Sequence, residues 1–378
     1  MATTGQISDA LKATGKYADL VEIHEGANAF AFKARHTHLD RDVFLKVYDY
    51  IHENRSGVLR EPRLLVEATK APSLCPNLVQ VFDAEIMTVN SSQFLCLQME
   101  YVSGVSLLGK ISDGPLGQQD AVRVTAGILT GVAHLHLQQM VHRDLKPANI
   151  LLHGNTPRIS DFGSVALLAG DDQPIQASKH SVLYVPPEGW ETPSKYLTQS
   201  DLYQVGMVLY ELVNGQLDYH DEHYLSRSKK AELRRRKLTF STMDSFEKSR
   251  AVDDGIADFS RRGKLLEHGR TPRPYFSSKL SRLVRATTNP DCSKRPRSAS
   301  EFLSDLTRIT VPNWLADEAG VYTASDWRRW DWRVRQAGKT GQEVVVERSK
   351  HGQGSWRRYP GSSVATLADA FSLVEALS

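Results

Sequence analysis

The hydrophobic pattern changes period part-way along the chain, and that change limits the available folds more than any other feature. Residues 17 to about 102 alternate in short β-like runs, Asp42–Tyr48, Leu78–Phe82 and Gln93–Glu100, around one helical stretch near Val58–Thr69. From Gln118, the apolar residues Ala121, Val124, Ile128, Leu129, Val132 and Leu135 recur every three or four positions, on one face of a helix ending near Met140. Strands must pair and a helical stripe must be covered, so the first part predicts a small mixed lobe and the second a mainly helical one. Tyr203–Leu212 is apolar at nearly every position, as in a helix buried on most sides, and is suited to anchor the second lobe.

Two further changes follow. Residues 221–285 carry 17 Lys/Arg against 9 Asp/Glu, including Arg234-Arg235-Arg236-Lys237, which reads as a basic surface elaboration spanning about 216–285. Five of the six tryptophans, Trp314, Trp327, Trp330, Trp332 and Trp356, then fall after residue 310. There Trp330–Gln336, Glu343–Arg348 and Ser355–Tyr359 read as three strands and Val364–Leu377 as a closing helix. The expected division is an N-terminal extension (1–16), a small lobe (17–102), a helical lobe (103–309) and a Trp/Arg-rich domain (310–378). At 40% hydrophobic and 24% charged residues, the composition excludes wholesale disorder, collagen and coiled coil. The longest apolar run, near Val205–Val213, is far short of the roughly 20 residues that cross a bilayer, and the first 20 residues hold no apolar signal core. Cys75, Cys96 and Cys292 lack the spacing of a metal or redox motif. These features predict a cytoplasmic chain without membrane insertion, and a net charge of +3 argues against nucleic-acid binding by the chain as a whole.

The residues that carry chemistry lie in the second lobe, between its two apolar helical stretches. His142-Arg143-Asp144-Leu145-Lys146-Pro147-Ala148-Asn149 is followed, twelve residues after the Asn, by Asp161-Phe162-Gly163. This pair of segments resembles the catalytic and metal-binding loops of the eukaryotic-type (Hanks-type) protein serine/threonine kinases. The resemblance implies an α+β, two-lobed fold with a β-rich N-lobe and a helical C-lobe, to which the Trp/Arg-rich part adds a small α/β domain. It also implies ATP and Mg2+ as cofactors. Asp144 would orient the acceptor hydroxyl and take its proton, Lys146 would lie beside the transferred phosphoryl group, and Asn149 and Asp161 would hold magnesium. Oxygen ligands suit that small, strongly hydrated ion, and phosphoryl transfer needs positive charge where negative charge develops.

Upstream, Val43-Phe44-Leu45-Lys46 resembles the family's strand lysine motif, with Lys46 gripping the α- and β-phosphates. Its carboxylate partner is Glu61, with Glu67 as competitor. Pro62 requires the first helical turn or a kink at Glu61. In Ile23–Arg35 only Gly26 keeps a glycine of the phosphate loop, with His24 and Ala29 at the other two glycine positions. Ala31 and Phe44 replace the usual valine and alanine of the adenine roof, and Phe44 brings bulk to that roof. Leu97–Gly104 resembles the hinge, with Met99 as gatekeeper and backbone groups near Glu100 and Val102 against adenine. Tyr184-Val185-Pro186-Pro187-Glu188 resembles the end of the activation segment, Glu188 pairing with Arg295. Asp201 sits where the family braces its catalytic loop.

Lys146 and Ser181 match the serine/threonine form, which implies a protein substrate with Ser/Thr acceptors. Arg143 before Asp144 leaves autophosphorylation open, at Ser178 or Ser164. Three other readings stand beside the enzyme. One is a kinase-like scaffold that binds nucleotide weakly. Another is a small-molecule kinase, against which Lys146 and the 184–188 segment argue. The third gives the tail a role in binding substrate, membrane or nucleic acid through Trp327–Arg333 and Trp356–Tyr359, where aromatics and arginines interleave; a tryptophan core with solvated arginines is the simpler reading. His134, His136 and His142 invite a zinc site, but spacing makes the first two ordinary helix residues.

Overall fold

A computed structural model describes residues 2–23, 29–49, 60–70, 75–168, 182–191, 195–217, 221–269, 271–337, 343–360 and 364–377, with the backbone alone at 60–64, 221 and 269. The small lobe holds α1 (Thr4–Ala13), β1 (Tyr17–Glu22), β2 (Phe30–His36), β3 (Arg41–Asp49), α2 (Arg60–Thr69), β4 (Val81–Val89) and β5 (Ser92–Glu100). Its five strands form an antiparallel sheet in the order β1-β2-β3-β5-β4. Alternation sorts the side chains of β3: Val43, Leu45 and Val47 are fully buried on one face, which leaves Phe44, Lys46 and Tyr48 on the other. The buried face is covered by α1, whose Ile7 and Leu11, one turn apart, join Phe32, Phe94 and Cys96 in one apolar cluster. A capping box between Thr3 and Gln6 starts that helix. Through Ile7 and Leu11, α1 is therefore part of the lobe's core.

One expected strand sits elsewhere. The run Leu78–Phe82 does not pair as a unit, because β4 begins at Val81. Leu78 instead bridges Ile159 in parallel, and the Val79 and Ile159 N–H groups donate to the carbonyls of Ile159 and Asn77. Backbone groups at 77–79 are thereby satisfied by the helical lobe rather than by the sheet.

The second lobe holds β6 (Val105–Ser106), α3 (Leu107–Ser112), α4 (Gln118–Leu137), β7 (Met140–Val141), β8 (Ile150–His153), β9 (Thr156–Ile159), β10 (Ala166–Leu167) and α5 (Thr198–Asn214). It continues with α6 (Arg227–Arg236), α7 (Ser245–Arg261), α8 (Leu265–Gly269), α9 (Ser278–Thr287) and α10 (Ala299–Thr307). The six periodic residues of α4 are all buried, and every residue of α5 from Ser200 to Asn214 is buried. Gly127 and Gly131 let α4 approach its neighbours, since a Cβ there would meet Pro157 and the Asn77 carbonyl oxygen within 3 Å.

The C-terminal region adds β11 (Leu315–Ala316), β12 (Tyr322–Trp327), β13 (Trp330–Ala337), β14 (Glu343–Lys350) and β15 (Arg357–Arg358), an antiparallel sheet in chain order, closed by α11 (Leu367–Ala376). Trp314, Trp327 and Trp332 are buried, while Arg348 lies over Trp330 and Arg333 over Trp356. This sheet shares its core with the C-lobe: Trp314, Trp332 and Phe371 belong to the same apolar cluster as α4 and α5. Asn313 accepts from the Gln119 N–H and donates to Asp120, fastening the crossing at the start of α4. Among the described residues, no helix is long and apolar enough to cross a membrane.

Candidate active site

The segment 142–149 hangs from the first turns of α5. Asp201, fully buried, accepts from the backbone N–H groups of His142 and Arg143, each at 2.9 Å, and from His136 Nε2 at 2.9 Å. Burial works to raise its pKa, but His136 and these donors outweigh it and hold the carboxyl below its ordinary value. One turn further on, Gln204 Oε1 accepts from the Leu145 N–H at 2.9 Å, and its Nε2 donates to the carbonyls of Arg143 and Tyr184 at 2.8 and 3.2 Å. A helix with every side buried makes a rigid post, so the loop inherits its position from the C-lobe core.

Asp144 stands half-buried at the end of this support. Lys146 Nζ lies 2.8 Å from its Oδ2, and Asn149 Nδ2 donates both to the Asp144 carbonyl and to Oδ2, at 2.8 and 3.0 Å. Using its amide nitrogen in this way turns the Asn149 oxygen away from Asp144. His142 ties the loop to the next one: Nε2 donates to the Ser160 carbonyl at 3.0 Å, and its ring packs 5.9 Å from that of Phe162. The Asp144 N–H lies 3.4 Å from His142 Nδ1, which assigns the proton to Nε2.

Asp161 follows β9 in a left-handed conformation, φ 58° and ψ 69°. Its Oδ1 lies 2.7 Å from Lys46 Nζ and accepts from the Tyr48 hydroxyl at 3.1 Å. Burial works to raise its pKa, but Lys46, together with His142 and the Tyr48 hydroxyl, outweighs it and holds the carboxyl below its ordinary value. The Tyr48 ring also lies so close to Gly163 that a Cβ there would meet it at 2.6 Å. Lys46 and Tyr48 share the cleft-facing side of β3, two residues apart, an alternation readable in the sequence, whereas the bond from Tyr48 to Asp161 spans 113 residues and is not.

On the adenine side, Ala31 is buried and pairs across the sheet with Lys46, while Phe44 pairs with Met99 and Val43 with Glu100. Val102 is half-buried and packs against the main core. The Glu100 carboxylate receives both its contacts from Arg158 of β9, at 2.5 and 2.6 Å, linking the hinge to the C-lobe. α2 begins at Arg60, so Pro62 falls in its first turn, as its missing N–H requires. The Glu61 side chain lies outside the described residues. Glu67, the competitor, faces solvent and pairs with Lys70. Gly26, His24, Ser178 and Ser181 also lie outside the described residues. The Ser164 carbonyl accepts from Arg143 Nε.

Glu188 and Arg295 meet as expected, in a two-pronged pair at 2.7 and 2.8 Å with Ser200 Oγ donating to the same carboxylate. The histidines serve the scaffold: His134 Nε2 bonds the Ala68 carbonyl, joining α4 to α2, and His136 bonds Asp201. Among the described residues no three His, Cys, Asp or Glu side chains converge as a metal site. Asn149 and Asp161 nonetheless offer an amide oxygen and an ionised carboxylate, the hard donors that magnesium takes together with phosphate oxygens and water.

The protein kinase domain family model matches residues 17–306. The chain belongs to the protein kinase family. It is 33% identical over 218 residues to the serine/threonine-protein kinase PrkC of Bacillus subtilis, which covers 56% of this chain and 32% of that protein. It is 33% identical over 221 residues to CBL-interacting serine/threonine-protein kinase 3 of Arabidopsis thaliana, covering 57% and 49%. With CBL-interacting protein kinase 2 of rice, Oryza sativa, 26% identity extends over 322 residues, 80% of this chain and 70% of that protein. The chain thus spans less than half the length of the first two of these relatives.

Proposed function

We propose that this protein is an ATP-dependent protein serine/threonine kinase, with Asp144 as the base that takes the proton of the acceptor hydroxyl. The observation that carries the reading is the joint arrangement of Asp144, Lys146 and Asn149 on one loop, with Lys46 at 2.7 Å from Asp161 across the cleft. Asp144 is half-buried and held through Oδ2 by Asn149 and Lys146, which fixes its carboxylate, the geometric requirement for a general base. Lys146 brings positive charge within reach of the same oxygen, where a phosphoryl group in transit would gather negative charge. Lys46 would grip the nucleotide phosphates, with Glu61 as its carboxylate partner in the working enzyme. Magnesium, held by Asn149 and Asp161, would supply charge neutralisation on the phosphates when bound. Backbone groups at Glu100 and Val102 and the buried Ala31 would seat adenine, with Gly26 in the loop above the phosphates.

The test is transfer of labelled γ-phosphate from ATP and magnesium to a generic protein substrate by the full chain, beside Asp144→Asn and Lys46→Met. We expect incorporation into Ser or Thr that falls at least about 1000-fold in Asp144→Asn, because the substitution removes the base and keeps the volume. Equal transfer by Asp144→Asn would refute its role. Absence of both transfer and magnesium-dependent ATP binding in the parent protein would favour the scaffold reading, with Phe44 opposite Met99 as the obstruction.

A further inference from the structure

Phosphoryl transfer leaves unused the basic stretch 227–237, which packs seven Lys/Arg and one Glu into eleven residues. A solvated helix is the ordinary reading of such a run. Arg234, Arg235 and Arg236 in the last turn of α6 fit it, since positive charge there complements the helix dipole. Arg227, Lys229 and Lys230 do not: they occupy the first turn, which holds no acidic residue and where positive charge opposes the dipole. Glu232 balances Lys229 and Arg236. Among the described residues, Arg227, Lys230, Arg234, Arg235 and Lys237 have no carboxylate partner, and all five are exposed. The helix touches the rest of the protein through one buried side chain, Leu233, in a satellite cluster with Leu225, Met243 and Ala251. Just past its end, Leu238 is 37% exposed. The helix is thus held out in solvent with five cations that no carboxylate pairs among the described residues and an exposed leucine at its end.

Its attachment gives the surface an address. α7 packs on the turns 182–184 and 187–190, with Arg261 donating to the Trp190 carbonyl at 3.1 Å. Gly255 of α7 admits the Tyr224 backbone to a distance no Cβ would tolerate, fixing the segment that leads into α6. The turn 182–184 in turn shares Gln204 with the Arg143 carbonyl, one residue from Asp144. A continuous run of packed elements therefore connects α6 to the loop that carries Asp144.

We propose that α6 forms a docking surface for an acidic protein segment carried by the substrate, with Leu238 as an apolar contact just past its C-terminal end. The link of α6 through packed elements to the Asp144 loop favours a protein substrate over a nucleic acid. The link to substrate rests on the kinase reading; the docking surface itself does not.

The experiment uses the full chain and two labelled peptides with the same Ser acceptor, one followed by an Asp/Glu tract and the other by Asn/Gln, with an equally charged single-stranded DNA as third probe. Binding is read by fluorescence anisotropy at two salt concentrations, and transfer as KM and kcat. Arg234→Glu with Arg235→Glu should weaken binding of the acidic peptide about tenfold and raise its KM alike, with kcat and the neutral peptide unchanged, as expected of several screened surface charges. Arg227→Ala with Lys230→Ala should weaken it about threefold while making the helix more stable, which separates docking from folding. Equal binding of the two peptides, or indifference to both double variants, overturns the proposal. Tighter binding of the DNA, lost in the same variants, overturns it in favour of a nucleic-acid surface. Acidic-peptide binding that the variants abolish, without transfer to either peptide, supports the docking surface and counts against the kinase reading instead.

Discussion

On the C-lobe wall of the cleft, the loop 142–149 is held by four hydrogen bonds between its backbone and two buried side chains of α5, Asp201 and Gln204. On the N-lobe wall, Lys46 meets Asp161 through one ion pair, with a single tyrosine hydroxyl beside it. On the proposed reading, the first arrangement fixes a base whose direction must not vary. The second joins groups that a nucleotide and its metal would rearrange on binding, so a lighter tie is the better design there. Buried, backbone-directed bonds carry large penalties when broken, whereas the lighter contacts can be exchanged at small cost.

Asp201→Ala should give the largest break in this comparison. It strands two buried N–H groups and His136, so the full chain should lose on the order of 3 kcal/mol in denaturant unfolding, with transfer down about 100-fold. Unchanged kcat in a folded Asp201→Ala protein would show that the loop holds itself. A second effect tests the pH sensitivity of the same wall. Burial pushes Glu211 up to about 7, against the pull of the Leu217 N–H and the Tyr184 hydroxyl at 2.5 Å. The native state then keeps a proton that the unfolded chain gives up near 4.5. Stability from this group is complete below pH 4.5 and is lost as pH rises through about 7. Glu211→Gln should flatten the fall between those values, by roughly 3 kcal/mol in all, in unfolding measured across that range; an unaltered slope would assign it to other groups. The smallest effect belongs to the N-lobe wall. Tyr48→Phe removes one hydrogen bond of about 1 kcal/mol, so the magnesium concentration for half-maximal transfer should rise about fivefold while kcat at saturating metal stays put. If the metal requirement does not move, the ring packed over Gly163 does all that Tyr48 does.

Much of the site was legible from the sequence because its residues are close along the chain. Asp144, Lys146 and Asn149 share one loop, and the period of two in β3 sends Lys46 to the face opposite Val43, Leu45 and Val47. Alternation cannot say which partner a short run will choose. Leu78–Phe82 has the composition of a strand, yet its first residues bond to Ile159 in the other lobe. Glu67 competed on paper with Glu61 as the partner of Lys46, and the turn of α2 sends it to solvent. The Glu100–Arg158 and Tyr48–Asp161 contacts left no local signature at all. The C-terminal tryptophans were readable as a core, but not that this core is continuous with the C-lobe, because a burial pattern marks which face is covered without naming what covers it.

By itself, the sequence determined the two lobes, through a change of hydrophobic period, and the cluster of catalytic-type residues, through one short motif. Tertiary structure alone decided what holds those residues in place: Asp201 and Gln204 beneath the loop, Tyr48 across from Asp161, Arg158 against the hinge, and α1 over the sheet. Periodicity and motif are local properties of the chain. Support for a site comes from contacts between distant segments, which exist only once the apolar faces have chosen their partners.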